Sequence, residues 1–340
     1  MNKYSFLDDY SEGCHPQIIE ALAASNLEQQ VAYGNDDYTK EAKALISDQL
    51  GCSNTSIYFV SGGTQANIII ASSVLRSHEA IIAASSGHIV LRETGAIEAT
   101  GHKIITVDSK NGKLTPDDIN KVVADNAHAP HMVKPRLVYI SNATEAGTLY
   151  TRKELQHLSH ACKAHELLLL MDGARLGVAL SAPTNDLTLS EVAVLTDIFW
   201  LGGTKAGALM GEAIIIPNKQ LAIEFSFHIK QRGALLAKGR LLGVQFKTLF
   251  TDQLFFRLCQ HANMMAQRLS EAFVSARYRL SVPTESNQIF PILPNTKIEA
   301  LQENFDFYIW AKLDDHYSVI RLVTSWATDE AQVEAFIEAL

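Results

Sequence analysis

Seven short apolar segments recur between residues 56 and 217: SIYFVSGG, EAIIAAS, KIITVD, PRLVYISNA, LLLLMDGA, DIFWLGG and EAIIIP. They do not alternate polar with apolar, so a strand made from one of them needs cover on both faces. Stretches of helical periodicity stand between them, including TQANIIIASSVLRS, LTPDDINKVVADNA and TRKELQHLSHACKAHE. Thr-Pro-Asp-Asp is a helix-start signal, and TGAIEAT is expected to form a helix as well. The alternation predicts an α/β domain with a mostly parallel central sheet covered by helices. After about residue 240 the pattern changes to one long amphipathic stretch, LFFRLCQHANMMAQRLSEAFVSA, followed by strand-like segments without helices between them. That order predicts a smaller C-terminal α+β domain.

Charge narrows the function classes. The 340 residues carry a net charge of -8, which leaves no basic footprint for nucleic acid. The opening MNKYSFLDDYSEG has no apolar stretch of the signal-peptide kind, and the longest apolar runs fall far short of the roughly 20 residues of a membrane helix. Cys14, Cys52, Cys162 and Cys259 have neither metal-ligand nor disulfide spacing. They are expected to be buried thiols in a reducing compartment, so a cytoplasmic protein without membrane or nucleic-acid partners is expected.

Four places carry chemistry. In SGGTQAN, a Gly-rich turn opens a helix, so Gly62, Gly63 and Thr64 can present N–H groups and a hydroxyl to a phosphate. The same stretch also reads as an ordinary strand–helix turn. In LLLLMDGARLG, Asp172 ends an apolar strand, where ligands of open α/β sheets collect, and Arg175 follows three residues later. Asp172 can equally cap the turn. Lys205, in GGTKAGALMGEA, is a lysine among small and apolar residues. It is either a desolvated amine fit for a Schiff base or a side chain that snorkels to solvent. His88 and His131 follow and precede apolar segments, and each alone is more often structural. A phosphate turn, a strand-end carboxylate and a loop lysine in that order are what pyridoxal phosphate needs: a cup, a partner for the ring nitrogen, and an amine.

The stretches AYGNDDYT, FVSGGTQAN, ATEAGTLYTRKEL, MDGARLG, GGTKAGALMGEA, HANMMAQRLSEAF and IRLVTSWAT run the length of the chain. Together they resemble the low-specificity threonine aldolases, within the aspartate-aminotransferase-like (fold type I) pyridoxal-phosphate enzymes. The resemblance implies three regions: an N-terminal segment at the active site (1–14), a large cofactor-binding domain (15–240) and a small C-terminal domain (241–340). It implies that Lys205 forms the Schiff base and that Asp172 pairs with the ring nitrogen. It places His88 against the ring, and Gly63 and Thr64 at the phosphate with Thr204 nearby. Arg175 and Arg321 would surround the oxygen-rich end, with Arg321 on the substrate carboxylate. His131 would lie near the substrate hydroxyl, and the base would be His88 or a water held by His88 and His131. Lys230, in HIKQRG, would reach a neighbouring subunit's phosphate, in a homo-oligomer that shares sites in dimers and assembles as a tetramer.

One departure stands out. Where the family has Ser-Asp followed by Asn or Thr, this chain has FLDDYSEG, so Asp8 stands for the serine and Tyr10 for the Asn or Thr. Asp8 is therefore expected to face the substrate carboxylate and compete with it for Arg321. The implied reaction is retro-aldol cleavage of threonine or allo-threonine to glycine and an aldehyde. β-Elimination, racemisation, or cofactor binding with impaired catalysis are the alternatives, because fold does not fix reaction.

Overall fold

A computed structural model describes residues 3–51 and 55–340; Cys52 lies outside them. A two-residue strand β1 (Tyr4–Ser5) leads into the large domain. All seven apolar segments are strands there: β2 (Ser56–Val60), β3 (Glu79–Ala84), β4 (Lys103–Val107), β5 (Lys134–Ser141), β6 (Leu168–Asp172), β7 (Ile198–Gly202) and β8 (Glu212–Ile216). They form one sheet in the order β2-β8-β7-β6-β5-β3-β4. The pairings from β4 through β7 are all parallel, and β8 runs antiparallel to both β2 and β7. Every residue of β3, β6, β7 and β8 is buried, because helices cover both faces.

Local sequence accounts for the helices. Thr115 and Asp118 form a reciprocal capping box at the start of the Pro116–Asp125 helix. Thr151 with Glu154 and Thr188 with Glu191 do the same at Arg152–Ala164 and Leu189–Leu195. Each box satisfies two backbone donors that a helix start otherwise leaves open. The helix expected at TGAIEAT is a single 3-10 turn, Glu98–Thr100. Thr94 (φ 53°) and Gly95 (φ 71°) are left-handed before it and Gly101 (φ 89°) after it, so no helix can propagate.

The small domain holds β9 (Arg279–Leu280), β10 (Gln288–Ile289), β11 (Pro291–Pro294), β12 (Phe305–Asp306), β13 (Tyr308–Lys312) and β14 (Tyr317–Val323). β14 pairs antiparallel with β10, β11 and β13, as consecutive strands without crossovers predict. β1 pairs with β12, and Phe6 belongs to the small domain's core. The two hydrophobic cores part beyond residue 240. The helix Arg240–Phe250 and the first turns of Leu254–Ser275 pack in the large core as far as Cys259, and the small core starts at Met265. A long helix shared by two cores shows no break in its own periodicity. Of the described cysteines, Cys162 and Cys259 are buried and Cys14 is half-buried.

Candidate active site

The C-terminal ends of β5, β6 and β7 meet the start of β8 around one cavity of about 200 Å³. Gly63, Thr64, His88, Asp172, Thr204 and Lys205 all line it. An adjoining cavity of about 380 Å³ opens outward past Tyr10, Arg175, Tyr308, Trp310 and Arg321.

Asp172 is buried at the end of β6, where its Oδ2 accepts from the Tyr139 hydroxyl (2.5 Å) and from Asn67 Nδ2 (3.3 Å). Its Oδ1 accepts from the Ala174 N–H at 3.0 Å, so it does cap its own turn, but it also faces the cavity. Asn67 Nδ2 also donates to the buried Glu93 at 2.9 Å, and its Oδ1 accepts from Trp200 Nε1 at 3.2 Å. Glu93 Oε1 stands 3.0 Å from His88 Nδ1. One hydrogen-bonded chain thus joins the strand-end carboxylate to the imidazole. Glycine is required at Gly173, where a Cβ would lie 1.7 Å from the Trp200 carbonyl oxygen. The helix Gly63–Val74 begins at Gly62 with no side-chain cap, leaving its first N–H groups to an anion.

Lys205 is half-buried and lines both cavities. Burial pulls its pKa down, the Arg175 charge adds to this, and Asp9, Asp172 and Glu212 oppose it. Its loop is held by Glu212, which accepts from the Gly203 N–H (2.9 Å) and the Thr204 hydroxyl (3.0 Å). Thr204 Oγ1 in turn accepts from the Gly211 N–H at 3.1 Å. Burial pushes the Glu212 carboxyl up to about 8. The folded protein therefore holds a proton there that the unfolded chain releases above its ordinary 4.5. That contribution to stability is complete below pH 4.5 and is lost as pH rises towards 8. Glu212→Gln should flatten the fall in melting temperature of the cofactor-free protein over that window; an unaltered pH–melting curve would place the titration elsewhere.

Arg321, on β14, lies 5.7 Å from the Tyr308 ring and 5.2 Å from the Trp310 ring, and its buried Nε has no hydrogen-bond partner among the described residues. Burial, with Arg175 nearby, brings its pKa down to about 10, so it stays a cation at neutral pH. Arg175 is less free than expected. Its Nε and Nη2 donate to Asp9 Oδ2 (2.7 Å) and Oδ1 (3.0 Å).

Three expected residues stand outside this chain's own cavity, one of them, Lys230, expected at a neighbour's. Asp8 does not face the site: its Oδ1 accepts from the Tyr10 N–H (3.1 Å) and the Ser11 hydroxyl (2.9 Å), folding it onto its own turn. Its neighbour Asp9 is the buried carboxylate, and Tyr10 lines the cavity with its ring 5.7 Å from Lys205 Nζ. His131 is exposed in the loop before β5, paired with the His128 ring at 5.0 Å. β5 starts at Lys134 and ends at Ser141 beside Asp172, so His131 lies toward the opposite end of the strand from the cavity. Lys230 is exposed, with its ammonium 5.0 Å from the Tyr33 ring. The sequence reading missed Asp9, Asn67, Glu93, Tyr139, Glu145 and Glu212. A carboxylate or amide within a few residues of an apolar strand end was the available signal for most of them.

A mostly parallel sheet whose strand ends meet at one cavity, a half-buried lysine and a strand-end aspartate define the fold type I, aspartate-aminotransferase-like class. Thermus thermophilus aspartate aminotransferase shares the fold at a TM-score of 0.72 with 14% identity, over 99% of this chain and 91% of that one. The profile of the beta-eliminating lyase family matches residues 6–295. A low-specificity L-threonine aldolase from a Pseudomonas species is 34% identical over 333 residues, 96% of this chain and 93% of its own length. The solved threonine aldolase of Leishmania major superposes with a TM-score of 0.97 at 50% identity, covering 98% of each chain. The chain belongs to the beta-eliminating lyase family, in its threonine aldolase group.

Proposed function

We propose that the protein is a pyridoxal-phosphate-dependent carbon–carbon lyase that cleaves threonine or allo-threonine to glycine and acetaldehyde. The observation that carries this is Lys205, its pKa lowered by burial, sharing one cavity with Asp172, His88, Gly63 and Thr64, while Arg321 lines the adjoining one. The two cavities also suit the cofactor and its substrate by their orphans: among the described residues, the buried Glu93 Oε2 at the inner one and Arg321 Nε at the outer one have no hydrogen-bond partner. When bound, the cofactor supplies a carbonyl for an amine and a cationic ring that takes up an electron pair from Cα.

The chain's own residues do the rest. Gly63 and Thr64, at the uncapped helix start, hold the phosphate, and Thr204 keeps the Lys205 loop in place through Glu212. Asp172 holds a proton at the ring nitrogen. His88 covers one ring face, oriented through Nδ1 by Glu93. Arg321 grips the substrate carboxylate, its fork steadied by Tyr308 and Trp310. Arg175 is positioned by Asp9 and supports the same end. Asp8 Oδ1 is held by its own loop, which favours intact substrate binding over the impaired alternative.

A cytoplasmic homo-oligomer is the setting. Leu27, Val31, Tyr33, Ile223 and Phe227 are exposed apolar residues on the Tyr33–Lys230 side. They suit a subunit interface across which Lys230 reaches a neighbour's phosphate.

The test is incubation of the purified protein with L-threonine and L-allo-threonine. Glycine with acetaldehyde supports the reading; pyruvate with ammonia, or a racemised amino acid, would replace it with an alternative. Asp172→Asn should lower kcat by about a hundredfold through loss of ring-nitrogen charge stabilisation. It should also cost about 1–3 kcal/mol of stability, because the new amide N–H₂ meets donors at Tyr139, Asn67 or Ala174. Melting and steady-state kinetics on one preparation separate the two effects. A loss of stability with unchanged kcat would leave Asp172 as a cap alone.

A further inference from the structure

The proposed cleavage needs a base for the β-hydroxyl proton, and His131 stands at the wrong end of β5 to serve. Glu145, four residues past the end of β5, lines both the inner and the outer cavity. Its Oε1 is anchored by two donors, the backbone N–H of His88 at 3.0 Å and the Ser141 hydroxyl at 2.8 Å. Its Oε2 makes no hydrogen bond among the described residues and is not sealed from the cavity. One oxygen fixed and one free is the geometry of a carboxylate that exchanges protons with a ligand.

On the aldolase reading above, we propose that Glu145 is the base that takes the β-hydroxyl proton. The O–H bond breaks and the proton passes to Glu145 Oε2. The oxygen's electron pair forms the aldehyde C=O as the Cα–Cβ bond breaks, and that bond's electrons stay on Cα. Through solvent the proton returns to the glycyl fragment, so no co-reactant is needed.

The surroundings tune Glu145 for this task. Burial pushes its pKa up, and the Asp172 charge adds to this, while Ser141 and His88 oppose them. Arg175 also feels its charge, as do the hydroxyls of Tyr139 and Tyr150. A raised carboxyl is a stronger base than an ordinary one and remains ionised above its shifted pKa. His88 is the rival, but its Nδ1 is committed to Glu93, and on the proposed reading its ring would lie against the cofactor.

Glu145→Gln in the holoenzyme tests the assignment, since the amide oxygen can keep both anchoring contacts without the basicity. Cleavage of L-threonine should fall by about a hundredfold, the typical contribution of a positioned base. Exchange of the glycine α-proton for deuterium, which involves no hydroxyl, should stay within about threefold, below what loss of a base costs. The acidic limb of the kcat/KM profile should disappear. Equal losses of cleavage and exchange would overturn the proposal in favour of a scaffold role under His88. Cleavage within about threefold of wild type would overturn it outright, because a base contributes far more. If Glu145→Gln does not fold, Glu145→Asp serves: its shorter carboxylate should displace the acidic limb and lower kcat, and an unaltered profile overturns the proposal. A wild type that exchanges glycine but releases no aldehyde overturns the lyase reading and the assignment with it. A cleaving wild type with an undiminished Glu145→Gln overturns the assignment alone.

Discussion

Lys205→Ala is expected to lose the visible absorbance of bound cofactor and to lower turnover by about 10³-fold or more, since one side chain serves as both nucleophile and proton carrier. The ammonium of an ordinary lysine is a poor nucleophile at neutral pH. Here burial favours the neutral amine, and Arg175 raises the cost of protonation further. The lowered pKa reverses the usual direction of pH dependence for a lysine. Protonating Lys205 in the folded cavity is disfavoured, so its contribution to stability is lost as pH falls through the shifted pKa. Lys205→Arg should be no milder than alanine in activity, because a guanidinium stays charged and forms no imine. Added methylamine should restore part of the turnover of Lys205→Ala, whose cavity has room for it, and not of Lys205→Arg. Full colour and full activity in Lys205→Ala would remove the lysine from the chemistry.

Secondary structure was legible where local chemistry decides it. Four of the seven strands, β3, β6, β7 and β8, are buried over their whole length because both faces are covered, and their mostly apolar runs are visible in one dimension. Three helix starts carry their Thr-x-x-Asp/Glu boxes in plain view. TGAIEAT was misread because its composition suits a helix, whereas left-handed residues at both ends, a tertiary requirement of the turn after His88, forbid one.

The site was legible by type more than by partner. Asp172 and Lys205 were visible as polar residues where apolar strands end. Glu93 and Glu145 were not, since a carboxylate in a loop reads as solvated until the fold buries it, and Glu212, at the start of β8, gave only the weak signal of a carboxylate beside an apolar strand. His131 was carried over from the family's pattern, and this single chain sets it apart from the cavity. Asp8 is the most instructive miss. An Asp can bond the backbone N–H two residues on, which a match of sequence positions does not reveal, and that turn takes its side chain away from the site. Asp8 holds its own turn, and Asp9 carries the buried charge.

Asp9→Ala should accordingly be the most destabilising single change at this site. The Asp9 side chain is fully buried and that of Arg175 is 11% exposed, joined by two hydrogen bonds in a fork. Removing the carboxylate leaves a buried guanidinium without its counter-charge, which costs about 3–5 kcal/mol. It also takes an acceptor from Asn287 Nδ2, now 2.9 Å from Asp9 Oδ2. Burial alone would raise the Asp9 carboxyl, but Arg175 and then Lys205 outweigh it and hold it down at about 2. The pair's contribution is therefore complete above the ordinary 3.8 and is lost as pH falls towards 2. Wild type should thus melt more easily below about pH 4, and Asp9→Ala should lack that step while melting lower at neutral pH. Asp9→Asn should fall between the two, keeping the shape and one acceptor but not the charge. The double variant Asp9→Ala/Arg175→Met separates pair from charge: filling the space with an apolar side chain should recover stability relative to Asp9→Ala, since the unpaired cation is gone. Should Asp9→Ala melt within about 1 kcal/mol of wild type, Arg175 has another counter-charge in the assembled protein. The neighbouring subunit would be the place to look for it.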